Sequence, residues 1–449
     1  MKKIIIAFSL VLLSLYSCVF FYSEKSGEFP KLSFISADPP TKVSAGRLLV
    51  IHVESVERKL SAFLSSEGEI VCATELKISE GEATFTCFVQ KSGLYTLQIG
   101  WRKWKIQVER PKLWVFLWMA ADNDLEAYSY ADLLEMTPLF SDYSVIAVRD
   151  LESVEEGKVG IILFDQNGNP YELVLEEEID SASPPVLDSF IREWWVSGEK
   201  KMLIVWDHGG AWLCDSLYAS PQSKYIAFDD SSSKAMAVRS LADALEGLQS
   251  EGYRFDVIGF DACLMGSLEV LYQLRKVADY IIASPEYEPG SGWNYTVFQA
   301  PMNSLEDFSK RIVESYKEFY AWGVSIPVSL VVYDVKQVDD VATQIKSIVE
   351  SASTQTVYDV ASGLRFLDED GACREPNNLR DSFSLLSFED NFKDSMNNLV
   401  FYYSQLNGGA TSASIYMPEV LREPVVEDYK TLDFYRDTGW LDFIEEMFK

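Results

Sequence analysis

Basic charge is scarce in this chain: 39 Lys and Arg face 69 Asp and Glu over 449 residues, a net charge of −30. Such a field repels phosphate backbones and so excludes nucleic acid as a partner. It draws in cationic peptides or a divalent metal, although a solvated surface kept soluble by excess charge accounts for it as well. No C-x-x-C pair occurs among the six cysteines, which removes the motif a thiol-redox protein needs. Internal repeats and low-complexity tracts are also missing. Only two histidines are present. His52 lies in an alternating run and reads as structural, so any imidazole chemistry in the rest of the chain falls on His208.

What is present is globular: 48% apolar and 24% charged residues, in a length that suits two or three domains. Residues 1–18, "MKKIIIAFSLVLLSLYSC", join two lysines to an apolar run and read as an export signal. They resemble a bacterial lipoprotein signal, in which Cys18 would carry the lipid and anchor the chain to a membrane; an uncleaved span over Ile4–Tyr22 is the alternative. Either places the folded part outside the cytoplasm. Residues 19–30 read as a tether. Cys72 and Cys87 sit in adjacent β-like stretches and can bridge, with connectivity left open by sequence.

Residues 31–110 show short alternating runs ("LLVIHV", "EATFTCFV", "LYTLQIG") split by turn residues, the pattern of a small all-β immunoglobulin-like sandwich. From Lys112 to Lys449 strongly apolar strands alternate with helical periods, which predicts an α/β domain with a mostly parallel sheet covered by helices on both faces. The strands expected are "LWVFLWMAA", "YSVIAVR", "GIILF", "MLIVW", "DVIGF", "YIIAS", "VSLVVYDV" and "ATSASIYMP". "GIILFDQNGNPYELVL" reads as a hairpin, and Val238, Leu241, Leu245 and Leu248 form one helix face. Residues 336–400 resist assignment; Asp381 there fits a substrate cleft or a helix cap.

Two strand ends carry reactive groups. "MLIVWDHGGAW" delivers His208, and "VIGFDACLMG" delivers Cys263 where a strand is expected to pass directly into a helix whose N-terminus would favour the thiolate. A buried cysteine after an apolar strand is usually packing, and "HGG" alone is compatible with a turn. Both at the ends of one sheet's strands, 55 positions apart, point instead to a cysteine nucleophile with a histidine base. Gly209 lets its N–H approach a substrate, and with the N–H of Cys263 it makes a candidate oxyanion hole. Asp207 is left out, since successive strand side chains point to opposite faces.

At these residues the sequence resembles the clostripain family of cysteine peptidases, relatives of the caspase, gingipain and legumain group. "WMAADNDLE", "WDHGGAW", "IAFDD", "FDACLMGSLEV", "SPEYEPGSGWNY" and "SIYMP" carry the resemblance over roughly 112–420. It implies a caspase-like fold and endopeptidase activity on protein or peptide substrates, with His208 as general acid/base and Cys263 as nucleophile. It also implies cleavage after Arg or Lys, with Asp261 as a carboxylate in the substrate pocket. Relatives often place a second acid where this chain has Ser291, and that departure motivates a rival reading, a catalytically silent surface binder. Glu286 and Glu288 either supply the missing charge or are solvated loop acids. Trp293 walls the pocket or plugs the core beneath the loop. Self-cleavage, common in relatives, would fall after Lys224. "DNDLE" and "FDDSSS" could offer oxygen ligands to calcium, but neither has the spacing of a dedicated loop, so no metal or cofactor is assigned. Nothing in the sequence sets the oligomeric state.

Overall fold

The computed structural model describes residues 34–151, 159–175, 178–196, 198–212, 226–368 and 378–449. Cys18, Lys224, Cys214 and Cys373 lie outside the described residues. Its centre is the strand Leu113–Ala121, in which all nine residues are buried. Leu113, Val115, Leu117, Met119 and Ala121 join one apolar cluster, while Trp114, Phe116, Trp118 and Ala120 join the other. A strand that buries both alternating sets must have layers on both faces, and that is why its text is apolar throughout.

Around it runs a parallel core in the spatial order Tyr143–Leu151, Leu113–Ala121, Lys200–Trp206, Val257–Asp261 and Tyr280–Ala283. Antiparallel strands Val328–Asp334 and Val400–Leu406 extend one side, and the hairpin Val159–Asp165 with Pro170–Leu175 extends the other. Helices Glu126–Glu135 and Leu305–Tyr320 cover one face through Leu133, Leu305, Phe308, Ile312 and Tyr316. Helices Pro184–Trp194, Val238–Ser250 and Val338–Ser351 cover the other. Helix Val238–Ser250 buries the face expected of it, Val238, Leu241, Leu245 and Leu248. Seven of the eight expected strands stand in the large sheet. The eighth differs: Ser414–Tyr416 pairs with Leu379–Asp381 in a small sheet outside the large one, and Val400–Leu406 takes the outer position instead.

Residues 34–109 form two β layers. Cys72 and Cys87 are disulfide-bonded, tying Glu69–Lys77 of one layer to Glu82–Val89 of the other. The expected boundary near Lys112 is not a break in the structure. Arg47–Ser55 pairs with Val159–Asp165 at Arg47 and Leu48, so one layer continues into the central sheet. Phe88 also packs edge-on against Trp194, with ring centroids 5.2 Å apart. At the junction Arg47 is buried and donates through Nη2 to the carbonyls of Leu139, Phe140 and Tyr143 at 2.9, 2.9 and 3.2 Å. Burial lowers its pKa to about 10, with Asp165 opposing the shift.

Replacing Arg47 by Met keeps the stem and removes its donor from the Leu139, Phe140 and Tyr143 carbonyls, of which Phe140 O keeps the Tyr143 N–H; the loss costs about 1–3 kcal/mol. The urea midpoint of Arg47→Met should fall accordingly with an unaltered slope, and an unchanged midpoint would show that the junction is held by the sheet and rings alone.

Candidate active site

The strands Lys200–Trp206 and Val257–Asp261 are parallel neighbours, with Trp206 opposite Asp261. His208 and Cys263 each stand two residues past that rung. Both line one cavity of 250 Å³, together with Asp124, Leu125, Trp206, Asp207, Asp261, Ala262, Glu288, Pro289, Gly290 and Gly292. The volume lies below the roughly 300–1,000 Å³ of small-molecule sites, and suits one side chain of a longer ligand.

Gly209 belongs to this arrangement for a steric reason. A Cβ there would lie 2.1 Å from the carbonyl oxygen of Cys263 and 2.8 Å from its nitrogen, so only glycine lets the two backbones meet. The two groups expected to form an oxyanion hole are therefore adjacent. Cys263 is half-buried, and its Sγ accepts a hydrogen bond from the Glu288 N–H at 3.2 Å.

One expectation is corrected here. Cys263 does not open a helix: the helix is Leu268–Leu274, capped by the Ser267 side chain. Between strand and helix the chain takes a turn with Leu264 at φ 64°, anchored by Leu264 N–H to Glu286 O and Gly266 N–H to Ser284 O. The leucine spacing runs through the turn and hides it. The donor to sulfur is thus the 286–288 backbone, not a helix end.

Asp124 is a site residue the sequence reading missed as a partner of the imidazole. Its Oδ1 lies 2.5 Å from His208 Nε2, with the Asp124 side chain 84% exposed. It comes from the "DNDLE" turn, 84 residues upstream. Asp207 lines the same cavity, but its carboxylate bonds to partners other than the imidazole. It is buried, and it accepts from Asn123 Nδ2 at 2.8 Å and from the Phe228 N–H. Burial raises its pKa well above the ordinary carboxylate range.

Asp261 is buried at the cavity floor, where its carboxylate accepts the Trp293 N–H at 3.1 and 3.2 Å and the Tyr295 hydroxyl at 2.8 Å. Glu288 turns its carboxyl to the same place, with both oxygens shut off from solvent against Asp261. Burial raises Asp261 to about 7 and, with the Asp261 charge, raises Glu288 well above the ordinary range. Asp261 has the donors, so it is the member that ionises first, while Glu288 keeps its proton; near pH 7 the pair is only partly ionised. Behind them Asp132 accepts from Trp206 Nε1 at 2.7 Å, and burial followed by the Asp261 charge raises it to about 9.

Glu286 is no part of the cavity. It pairs with Arg365 and accepts the Ala410 N–H at 2.9 Å, which fixes a loop. Neither loop acid is solvated as one reading had it. Ser291 and Trp293 are not among the cavity-lining residues. Trp293 is buried under the sheet, its ring where a Cβ on Gly259 would be, so of the two readings the core plug is the one observed. Its backbone serves the site through Asp261. Gly292, at φ 55°, leaves room for the Asp261 carboxylate, which a Cβ would approach to 2.6 Å. Asp381 caps the helix Ser382–Leu386 through Ser384 N–H at 2.7 Å. His52 is exposed on its strand, its Nδ1 3.4 Å from the Thr84 hydroxyl.

The clostripain family model matches residues 117–447. Clostripain of Hathewaya histolytica is 27% identical over a stretch covering 41% of this chain and 41% of that protein, so the chain spans about two fifths of the length of the curated relative it matches. An inactive zymogen C11 protease of Parabacteroides distasonis superposes with a TM-score of 0.57 at 23% identity, over 73% of this chain and 98% of that one. A secreted C11 cysteine protease of Bacteroides thetaiotaomicron, solved with an irreversible peptide inhibitor, gives 0.59 at 20% identity, over 73% and 99%. At such identities the likeness to the two structures speaks for the fold. With the family model matched over well more than half of its length, the chain belongs to the clostripain family of cysteine peptidases.

Proposed function

We propose that this chain is an exported endopeptidase, held to a membrane through Cys18, that cuts after Lys or Arg with Cys263 as nucleophile and His208 as general acid/base. The observation that carries the proposal is the shared cavity: sulfur, imidazole and a buried acid pair line one space sized for a side chain. The Cys263 thiolate attacks the peptide carbonyl carbon, and the Gly209 and Cys263 N–H groups receive the oxyanion, each worth ~3 kcal/mol. As the C–N bond breaks, His208 gives its proton to the leaving amine. Water then adds to the thioester with His208 taking its proton, and the C–S bond breaks to free the acid and the thiolate.

Asp261 and Glu288 would receive the cationic side chain before the scissile bond. The second carboxyl absent at Ser291 is thereby supplied from two residues before Gly290, which weakens the motive for a silent binder. The two N-terminal β layers would act as an immunoglobulin-like spacer between anchor and peptidase. No helix among the described residues is long and apolar enough to cross a membrane. Self-processing would fall after Lys224.

Digestion of a peptide library by wild type should yield cuts after Lys and Arg that vanish in Cys263→Ala; equal digestion by both proteins would refute the assignment. The same pair tests processing, because a fragment ending at Lys224 should form only from the wild type.

The acid pair gives the specificity a pH signature. Its members have raised pKa values, so the pocket gains charge as pH climbs, and cation binding improves with it. The ratio of kcat/KM for a lysine substrate over its norleucine analogue should therefore rise through about pH 7. Taking the ratio cancels the ionisation of thiol and imidazole. A flat ratio would remove the pair from the pocket.

Asp124 is assigned as a positioning residue for His208. At 84% exposure its ion pair is largely screened, so Asp124→Asn should lower kcat/KM by only about 2- to 5-fold, the scale of exposed pairs. The loss should shrink at high salt, and a loss of a hundredfold or more would place Asp124 in the chemistry itself.

A further inference from the structure

Three large apolar side chains stand open to solvent at one end of the N-terminal β layers: Phe34 at 57%, Val56 at 72% and Trp101 at 62% exposure. Scattered singly over a surface they would need no explanation. Register brings them together. Ile35 pairs with Ser55, so Phe34 and Val56 each lie one residue past that rung. The turn at Gly100 closes on the same place, since a Cβ there would come to 2.8 Å from the Ile35 Cδ1. Trp101 follows at the tip of the tight hairpin that pairs Ile99 with Arg102, and the Arg102 guanidinium lies 5.4 Å from its ring centre. Arg58 is exposed two residues after Val56.

Direction and charge set this tip apart from the rest of the surface. Arg47–Ser55 runs parallel to Val159–Asp165, which itself runs against Tyr143–Leu151. It therefore leaves the central sheet at the amino ends of the parallel strands and rises away from them, about 24 Å from Leu48 to Ser55 at ~3.4 Å per residue. His208 and Cys263 emerge at the carboxyl ends of those strands, so tip and cavity stand at opposite ends of the molecule. Residues 34–109 hold nine basic and nine acidic residues, which leaves the acid surplus of the chain to the peptidase domain. An anionic surface repels that domain and leaves the two β layers unopposed.

We propose that this tip docks on a phospholipid bilayer, with Phe34, Val56 and Trp101 entering the headgroup region. Tryptophan suits that boundary because its ring is apolar and its N–H polar, and the arginines beside it can lay their stems on apolar surface while their heads stay among the phosphates. The course of the chain selects the bilayer over other occupants: Cys18 stands sixteen residues before Phe34, and Phe34 is where the described chain enters the tip. That choice rests on the reading of Cys18 as the anchor. A single acyl chain holds a protein only marginally, and a second contact with the membrane makes attachment stable. Docked in this way, the β layers stand as a post, and the cavity opens away from the membrane toward substrates in the surroundings.

The test is co-sedimentation of the chain from Val19 onward, which retains every described residue, with vesicles of phosphatidylcholine and phosphatidylglycerol. Wild type should sediment with them. Phe34→Ser and Trp101→Ser should each weaken binding at least about tenfold, the loss expected when one large apolar side chain is withdrawn. Their unfolding midpoints should match wild type, because both side chains are exposed. Trp322→Ser, at a residue 92% exposed on the peptidase domain, should bind as wild type and so controls for exposed aromatics at large. No sedimentation of wild type up to about 1 mM lipid, well past the ~0.1 mM at which a single acyl chain partitions, would overturn the proposal. Undiminished binding in the tip variants, or an equal loss in Trp322→Ser, would overturn it too. Self-association without lipid that the same tip substitutions abolish would assign the tip to a second copy of the chain and overturn the bilayer. The anchor is read separately, from the mass of the full-length chain recovered from membranes: an unmodified Cys18 beside intact vesicle binding would sink the anchor and leave the tip standing, whereas a lipidated Cys18 without vesicle binding would sink the tip alone.

Discussion

The structure depends on one ladder of hydrogen bonds, the parallel pairing that sets Trp206 opposite Asp261. Because parallel strands end on the same side of a sheet, residues at equal distances beyond one rung emerge together. His208 and Cys263 are both two residues beyond it, and 55 residues of chain collapse into adjacency. A slip of one residue would turn every side chain of the strand to the opposite face. The register is guarded by burial: Met202, Ile204 and Trp206 belong to one apolar layer, and Leu203 and Val205 to the other. The chemistry at the strand ends inherits its geometry from a core that has no chemistry of its own.

Loops then add what strands alone do not supply. The 284–293 segment returns over the ends of the strands, gives its Glu288 N–H to the sulfur and its Trp293 N–H to Asp261, and is held in turn by the Tyr320 hydroxyl on Gly292 O at 2.7 Å. One short loop therefore touches both Cys263 and the floor of the cavity. Glu286, three positions from Pro289, spends its charge on Arg365 and Ala410 to keep that loop in place.

The parts of this that were legible in the sequence are those written as local pattern. Fully buried strands announce themselves as unbroken apolar runs, so the parallel core was readable, and with it the pairing of two strand ends that carry His208 and Cys263. The edge strand Val400–Leu406 was not, because half-exposed residues such as Tyr402 and Tyr403 give neither a run nor a clean alternation. Continuity of the N-terminal layer with the central sheet rests on only two paired residues, Arg47 and Leu48, a join too short to leave a pattern. Asp124 escaped because its link to His208 crosses 84 residues and depends on where a turn lands. Glu286 and Glu288 look alike on the page. Only the course of the folded loop sends one to Arg365 and the other to Asp261.

The acids buried around the cavity impose a condition on the free protein. Asp261 and Asp132 have ordinary values of 3.8 and stand at about 7 and about 9 in the fold, raised first by burial. Below about pH 4 folded and unfolded chains hold these protons alike, so the groups leave stability untouched. As pH rises from there, the unfolded chain releases protons that the fold retains, and stability falls until each group ionises in place, near 7 for Asp261 and near 9 for Asp132. At neutral pH the empty cavity is thus a region where the fold works against its own solvation. A cationic side chain entering that space favours the ionised pair and removes part of the cost, so the same burial that strains the free protein strengthens recognition of a positive ligand. On the proposed reading the neutral analogue would gain nothing from this exchange, and selectivity would follow from the energy the fold had already committed to keeping those carboxyls dry.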